Sequence, residues 1–585
     1  MREWDAGDAF EASIDAAFEA AIQEGKAKGT FTAPGWRPTP HTGGGGVGSL
    51  ASSSSSSSEE ESEEEDDSGG GGTQGVPGTE DLSLDEIRKR FEASRSSGSG
   101  GLASASSAYR AQVDEVVRGL SAAKDDAHRL VLGVLAVRCL RGDDAEGIER
   151  VVDASGGLRG GWVQQLVEDA GQGDTGAGAL TEEVEEEEEG DVGGDGAFKR
   201  GGLGRAQLGV RLLGLFMCSE AVARSPEAVP LAWAAVRAAV RVGEEEVARD
   251  AGDVVVRALA AAVDEGGGGG SLSDRDGEAV AGMVEGLGRL VGAVSGPEAS
   301  GAVARGLAIA TTVGVGEGVA GVAAAAGAAV GPLCGALGAA VSKKEAALAL
   351  DLLQALAAAL AAVTADERAA LDMGLHVAPQ EVARPAAPLP AWAGEARDAL
   401  ASLLRSRLDV GPRDAALRCC WALAGSRMGA GGHWLCDGGE GELLVVATRV
   451  AAVEAKVLMH MVVGAHDRER VRVLLPEVLQ LLVIAVDAVA AAMEALDSTE
   501  AHLVSEACID KAFPALQDAA GTCVEFLMLV VAGKKDIEVD DEVVFAACTL
   551  LGAYSREVQG EHDAALRKLG PLFDRLGVPS PLDEE

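Results

Sequence analysis

Apolar residues recur at helical spacing from about residue 105 almost to the end of the chain. They return every three or four positions, which places them on one face of an α-helix. Groups with Gly or Pro indicate where helices end: Ser225-Pro226, Gly411-Pro412, the Gly429–Gly432 stretch and Gly570-Pro571. The clearest faces are Leu208, Leu212, Leu215 and Phe216; Leu400, Leu403, Leu404 and Leu408; Val446, Val450, Val453, Val457 and Met461; and Leu566, Leu569, Leu572, Phe573 and Leu576.

This pattern predicts an all-α fold, because no alternation of apolar and polar residues is long enough to build a sheet. Many amphipathic helices at short intervals are typical of an armadillo/HEAT-like α-solenoid of stacked helix pairs. Aromatic residues make up only 3% of the chain, which suits close-packed helices better than a β-sandwich. The solenoid, an α-helical repeat domain, is expected over residues 105–578.

The first hundred residues predict a different organisation. Residues 1–25 contain a short amphipathic helix, and residues 26–104 form a disordered linker rich in Gly, Ser and acidic residues. A second disordered segment, an acidic loop, is expected at about 171–204. Such stretches bury too little apolar surface to offset the entropy of an ordered chain.

The N-terminal helix carries one apolar stripe formed by Phe10, Ile14, Phe18 and Ile22, with acidic residues between them. These four residues are the candidates for partner binding, as a helix that docks in the groove of another protein. The alternative interpretation is a helix packed on this protein's own helical domain.

The chain carries 50 basic and 93 acidic residues, a formal net charge of −43. This charge argues against direct nucleic-acid binding, since phosphate backbones would be repelled. The two acidic runs at 59–67 and 182–191 hold eight acidic residues each, so most of the excess lies elsewhere. The acidic surface favours basic peptides as partners by long-range attraction.

Nine cysteines, mostly in apolar helical stretches, indicate reduced and buried thiols of a cytoplasmic protein. No secretory signal is visible at the N-terminus. The segment between Glu317 and Lys343 lacks charged residues and is long enough to span a bilayer. Its Ala and Gly content and Pro332 favour a buried helix pair, so no transmembrane segment is expected. A membrane-spanning protein that uses 318–342 remains an alternative.

One short segment of the chain matches the glycine pattern of dinucleotide-binding loops. Gly316–Gly321 reads G-x-G-x-x-G after Ile309–Val315, which could form a strand. A dinucleotide site also needs a second strand with an acidic end, and the surrounding Ala-rich sequence offers none. No cofactor is therefore expected.

The remaining candidates for chemistry are thiols and histidines. Cys419, Cys420, His433 and Cys436 could ligate zinc, but adjacent residues on a helix diverge by about 100°, so no metal site is expected. No known catalytic motif occurs, and no catalytic residue is assigned. The chain is therefore predicted not to be an enzyme. The alternative is an enzyme whose site pairs His433 or His460 with a buried carboxylate.

Several segments resemble the neurochondrin family in the same order along the chain. They lie within about 120–578: Ala206–Pro230, with a leucine-rich helix and a Cys-Ser turn; Gly321–Leu360, with PLCGAL and ALALDLLQALAAAL; Pro412–Glu454, with LLVVATRVAAVE; and Val543–Phe573, which ends in an L-x-x-L-F helix. The resemblance implies an armadillo-like scaffold or adaptor without enzymatic activity.

The resemblance also implies functional roles. Neurochondrins are connected with neurite outgrowth, receptor signalling, calcium-dependent kinase regulation and trafficking contacts, so receptor tails and small GTPases are expected partners. The family associates with endosomal membranes through lipidated cysteines near the N-terminus, whereas the first cysteine here is Cys139. The family pattern continues beyond the position of Phe573, so either those surfaces are absent or the chain is a shortened form.

Overall fold

The fold comes from a computed structural model that describes residues 102–123, 126–158, 161–168, 205–265, 273–372, 390–425, 432–436, 441–464, 467–496, 504–533, 541–580 and 582. All of them lie in one compact unit, Ser83–Glu585. Every regular element in these ranges is a helix. The predicted N-terminal helix with its stripe (Phe10, Ile14, Phe18 and Ile22) and the predicted loop at 171–204 lie outside the described residues.

Twenty helices follow one another in the described part of the chain. They are α1 (Leu102–Ala122), α2 (Asp126–Cys139), α3 (Ala145–Ala154), α4 (Trp162–Glu168), α5 (Arg205–Phe216), α6 (Glu220–Ala223), α7 (Ala228–Val242), α8 (Glu245–Glu265), α9 (Asp274–Ala293), α10 (Pro297–Gly316), α11 (Val322–Lys343), α12 (Ala346–Asp372), α13 (Ala391–Arg405), α14 (Val410–Gly425), α15 (Gly432–Cys436), α16 (Glu442–Gly464), α17 (Arg468–Leu496), α18 (Glu506–Val531), α19 (Asp541–Glu557) and α20 (Asp563–Leu576).

The helices stack as successive pairs in two rows. Row A contains α7, α9, α11, α13, α16, α18 and α20, and row B contains α5, α8, α10, α12, α14, α17 and α19. Each helix packs against the next helix of its own row, and α7 to α19 also pack against a partner from the other row. This arrangement confirms the predicted all-α solenoid of helix pairs.

Local sequence signals set several helix ends. Asp144 caps α3 by accepting a hydrogen bond from the backbone N–H of Gly147 at 3.0 Å, and Ser273 caps α9 in the same way. Gly243 and Gly577 end α7 and α20 in the left-handed conformation, with φ of 71° and 67°. Glycine adopts this conformation without the steric cost of a Cβ atom.

The predicted apolar faces are correct for some helices and wrong for others. On α20, Leu566, Leu569, Leu572 and Phe573 are buried as predicted. On α5, Leu215 is half-buried while its neighbours Leu208, Leu212 and Phe216 are buried. Helix α13 ends at Arg405, so Leu408 lies beyond it.

The predicted face of α16 is only partly correct. Val446 is buried, whereas Val450, Val453, Val457 and Met461 are only half-buried. The most deeply buried residues of this helix include Leu444, Ala451, Ala455 and Leu458. Both sides of this helix are apolar, so periodicity does not distinguish them. The small alanines face the neighbouring helices because they allow close approach, while the larger valines lie toward the side.

Some predicted breaks lie inside helices. Gly570-Pro571 is within α20, where buried leucines on both sides hold the helix together despite the lost hydrogen bond. The segment after Glu317 forms the single helix α11 and not a helix pair, since the chain continues helically through Pro332. Pro332 lies beside α9, where a Cβ atom added at Gly292 would be 3.6 Å from the Pro332 Cβ, an ordinary contact distance. Helix α1 begins at Leu102, three residues before the predicted domain boundary.

Two row-B helices approach closely at one glycine. A Cβ atom at Gly252 of α8 would lie 2.5 Å from the carbonyl oxygen of Ala302 on α10. That oxygen belongs to the backbone, so it cannot move aside as a flexible side chain could. The position therefore requires glycine for packing.

We expect Gly252→Ala to lower the free energy of unfolding by about 1–3 kcal/mol, as overpacking of a close contact does. Urea unfolding followed by circular dichroism measures it. The control is Gly521→Ala in α18, where a Cβ would meet nothing within 4 Å. That change should stabilise the helix by about 0.5–1 kcal/mol. Equal effects of the two substitutions would contradict the close approach.

Candidate functional site

Ion pairs join successive helices of row B. Arg211 of α5 binds Asp250 of α8 at 3.1 Å and Glu246 at 2.5 Å. Arg305 of α10 then lies between two aspartates, Asp351 of α12 at 2.6 Å and Asp253 of α8 at 3.6 Å. The charged side chains therefore follow the stack along row B.

A cleft opens where α8, α10 and α12 meet, and we call it the row-B cleft. Its volume is about 490 Å³, within the roughly 300–1,000 Å³ range of ligand sites. Its lining residues are Arg249, Asp253, Pro297, Glu298, Gly301, Arg305, Glu345, Ala346, Ala347, Leu348 and Asp351. This site is not evident from the sequence, because its residues come from three separate helices.

Carboxylates outnumber guanidinium groups in the row-B cleft. Four carboxylates (Asp253, Glu298, Glu345 and Asp351) face two arginines. Both arginines are paired, since Arg305 binds its two aspartates and Arg249 lies 3.1 Å from Asp250 and 3.6 Å from Glu298. The cleft therefore carries an excess of negative charge.

A second charged group lies buried between α14, α16 and α17. Arg470 donates two hydrogen bonds to Asp414, at 2.7 and 2.8 Å, and a third to Glu454. Arg413 Nε lies 2.9 Å from Glu454 Oε2 as an ion pair without hydrogen-bond alignment. The Glu454 side chain is only 3% exposed. We call these four residues the buried ion cluster.

The buried ion cluster stabilises the charged state of its central residue. Hydrogen bonds from Arg470 to Asp414 raise the pKa of the guanidinium above its usual range, despite the opposing effect of burial. The buried ion cluster therefore ties α14 to the α16–α17 pair.

A carboxylate at the start of α8 caps the turn before α10. Glu245 accepts hydrogen bonds from the Ser295 hydroxyl at 2.5 Å and from the backbone N–H groups of Ser295 and Gly296. The Ser295 hydroxyl is the largest cause that lowers the pKa of Glu245. A lowered pKa means that the folded state favours the charged carboxylate.

This cap predicts a pH-dependent stability difference between the wild type and Glu245→Gln. The contribution of Glu245 is present above the unfolded pKa of about 4.3 and is lost as pH falls through the lower folded pKa. Thermal midpoints should therefore differ most near neutral pH and converge in acid. Glu278→Gln, an exposed change on α9, is the control. A difference that grows as pH falls would contradict the assignment.

All nine cysteines are free thiols, and seven are buried, as the sequence predicts. Burial raises the pKa of Cys139 to about 11 and those of Cys334 and Cys420 to about 12. Thiols with such pKa values stay protonated at neutral pH and are poor nucleophiles.

The nucleotide-binding hypothesis is not supported by local structure. Ile309–Val315 lies within α10 and is helical, so the strand that the fingerprint requires is absent there. Gly318 and Gly321 have positive φ values, 64° and 86°, and form the turn between α10 and α11. The glycines thus serve a helix–helix turn.

The cysteines of the zinc hypothesis lie on two different helices, and one histidine of the catalytic alternative has its side chain outside the described residues. Cys419 and Cys420 are buried in α14, and Cys436 is buried in α15. The side chain of His433 lies outside the described residues, and His460 is exposed on α16. Among the residues that the structure describes, no three His, Cys, Asp or Glu side chains form a metal site.

Five helices are long and apolar enough to cross a membrane on length and composition alone: α10, α11, α12, α17 and α18, over the parts Pro297–Gly316, Val322–Lys343, Ala346–Asp366, Arg468–Glu494 and Glu506–Val531. Each also packs against neighbours of its row. Leu333 and Leu337 of α11 have no exposed surface. The apolar character of these helices is thus used, at least in part, inside the stack.

Comparison with known proteins identifies one family. Residues 329–578 match the family model described as neurochondrin, from within α11 to the end of α20. The resemblance proposed for residues 120–328 lies outside this match. No curated protein matches the chain.

Two solved structures have a low similarity to the chain. A crystal structure of an engineered protein has a TM-score of 0.33 at 16% identity and covers 80% of this chain and 94% of its own. A circular tandem repeat protein has a TM-score of 0.19 at 14% identity, with 83% and 90% covered. The solenoid architecture is defined by the helix packing described above.

Proposed function

We propose that this chain, in which residues 329–578 match the neurochondrin family model, is a non-enzymatic cytosolic scaffold that binds partner proteins in signalling or trafficking. Family membership suggests a scaffold-like role. Stacked helix pairs support it, because repeat arrays offer extended binding surfaces. The raised pKa values of the buried thiols also argue against cysteine nucleophiles.

The observation that carries the proposal is the acidic character of the chain. The net charge is −43, of which the runs at 59–67 and 182–191 hold eight acidic residues each, and carboxylates outnumber arginines in the row-B cleft. Such a surface attracts basic segments of partners and increases the rate of association. The proposed partners are therefore proteins with exposed basic peptides, among them receptor tails and small GTPases by family resemblance.

The test is affinity purification of the full chain at two salt concentrations. The range of charge interactions falls from about 10 Å at 0.1 M salt to about 3 Å at 1 M. We expect partners with basic segments to bind at low salt and to dissociate at high salt. Retention of the same partners at both concentrations would contradict the proposal.

The N-terminal stripe is a separate candidate for partner binding. We propose that Phe10, Ile14, Phe18 and Ile22 dock in a groove of a partner. Ile14→Asp with Phe18→Asp in the full chain should abolish binding through the stripe and leave the solenoid folded. Unchanged partner binding would mean that the stripe is inert.

The biological setting is proposed from the family. It comprises a cytoplasmic location, association with the periphery of endosomal membranes, and a role in the development of neuron projections. Fractionation of cells that express the full chain tests the location. Recovery in the integral membrane fraction after carbonate extraction would favour the membrane alternative.

A further inference from the structure

We propose that the row-B cleft binds one cationic side chain, an arginine or lysine, of a basic partner segment. This inference rests on the proposed scaffold function and assigns a specific site to it. The cleft lies between the first turns of α10 and α12 and the middle of α8. It combines a volume of about 490 Å³ with an excess of negative charge.

The shape of the cleft suits a long side chain with a charged end. Pro297, Ala346, Ala347 and Leu348 form an apolar wall. Lysine and arginine bury their methylene stems along such surfaces and keep the charged group near polar atoms. Gly301 forms part of the wall, since a Cβ there would lie 2.9 Å from Asp351 Oδ2. A larger residue at this position would crowd the carboxylate that faces the cleft.

The two arginines of the cleft do not neutralise its four carboxylates, so the cleft can accept one more cation. The two arginines of the cleft are held by carboxylates, so they do not present unpaired positive charge to a ligand. The Glu345 carboxylate has no ion pair or hydrogen bond within the described part of the chain. Glu298 is 84% exposed and meets Arg249 only at 3.6 Å. These two glutamates are the groups available to an incoming guanidinium or ammonium.

An anionic ligand is disfavoured by the same arrangement. The first-turn N–H groups of α12 and the two arginines could attract an anion. Four carboxylates in the same cleft oppose it, and each arginine already has two acidic neighbours. A phosphate or carboxylate would have to displace these pairs, whereas a cation would not.

The test measures fluorescence anisotropy of a labelled Gly/Ser peptide that contains three arginines, with the full chain. The matched peptide carries citrulline in place of arginine, which keeps the shape and removes the charge. We expect the citrulline peptide to bind at least about tenfold more weakly. For the arginine peptide, Glu298→Gln with Glu345→Gln should weaken binding by about tenfold.

Two control variants separate the cleft from general attraction. Glu278→Gln with Glu285→Gln removes the same charge from α9, outside the cleft, and should change affinity less than about twofold. Ala347→Trp fills the cleft without changing charge and should weaken binding about tenfold, a difference of about 1.4 kcal/mol. Circular dichroism and thermal unfolding verify that each variant is folded.

The outcomes distinguish the two proposals. Equal weakening by both pairs of glutamate substitutions, with no effect of Ala347→Trp, would overturn the cleft and leave a diffuse acidic surface as the binding site. Equal binding of the arginine and citrulline peptides would overturn both proposals. Weakening confined to the cleft variants supports the assignment.

Discussion

Arg470→Met is expected to lower the free energy of unfolding by about 3–5 kcal/mol, the cost of leaving a buried charge without its partner. Arg470 alone bridges Asp414 on α14 and Glu454 on α16, and both carboxylates are largely withdrawn from solvent. Without the guanidinium, Glu454 keeps only Arg413 nearby. Urea unfolding followed by circular dichroism gives the magnitude.

Two further variants make this expectation specific. Arg567→Met removes an exposed arginine on α20, outside the cluster, and should change stability by less than about 0.5 kcal/mol. Arg470→Met combined with Asp414→Asn should recover part of the loss, since Glu454 keeps Arg413 and the unpaired charge of Asp414 is removed. If Arg470→Met were as mild as Arg567→Met, the buried ion cluster would have no stabilising role.

Trp434→Ala is expected to cost about 3–5 kcal/mol, as the truncation of a buried aromatic side chain does. Trp434 is 1% exposed, and its Nε1–H donates a hydrogen bond to the Ala393 carbonyl at 2.9 Å. It lies in α15, a five-residue helix that packs against α13, α14, α16 and α17. The side chain therefore fills the space between two helix pairs.

A matched substitution and a ligand test this role. Trp434→Phe keeps a ring but loses the donor, so it should cost less than Trp434→Ala. Added indole should raise the thermal midpoint of Trp434→Ala and leave the wild type unchanged, since an apolar cavity can bind a ligand of matching shape. A stable Trp434→Ala protein would show that α15 does not support the stack.

Periodicity predicted the elements well wherever one side of a helix is polar. On α20, charged residues alternate with the buried leucines, so the pattern identifies the inner face without ambiguity. On α16 both sides are apolar, and the choice of Val450 and Val457 over Ala451 and Ala455 was wrong. Proline was also an unreliable sign of a helix end. Pro332 and Pro571 both lie inside helices, which packing against neighbours stabilises.

The candidate site could not be predicted from the sequence. Asp253, Arg305 and Asp351 come from three successive row-B helices and lie about fifty residues apart, so no local motif connects them. A sequence signal does recur about two turns into α5, α8, α10 and α12, where Arg211, Asp253, Arg305 and Asp351 stand. With the helix pairs aligned, that recurrence would have placed these residues on one side of the stack.

Hydrogen–deuterium exchange of the full chain, with and without the arginine peptide, would locate the binding site on the helix stack. We expect protection of the first turns of α10 and α12, around Glu298 and Glu345. This protection should disappear at about 1 M salt, where charge interactions reach only about 3 Å. Saturating peptide that protects no part of the helix stack would contradict this expectation.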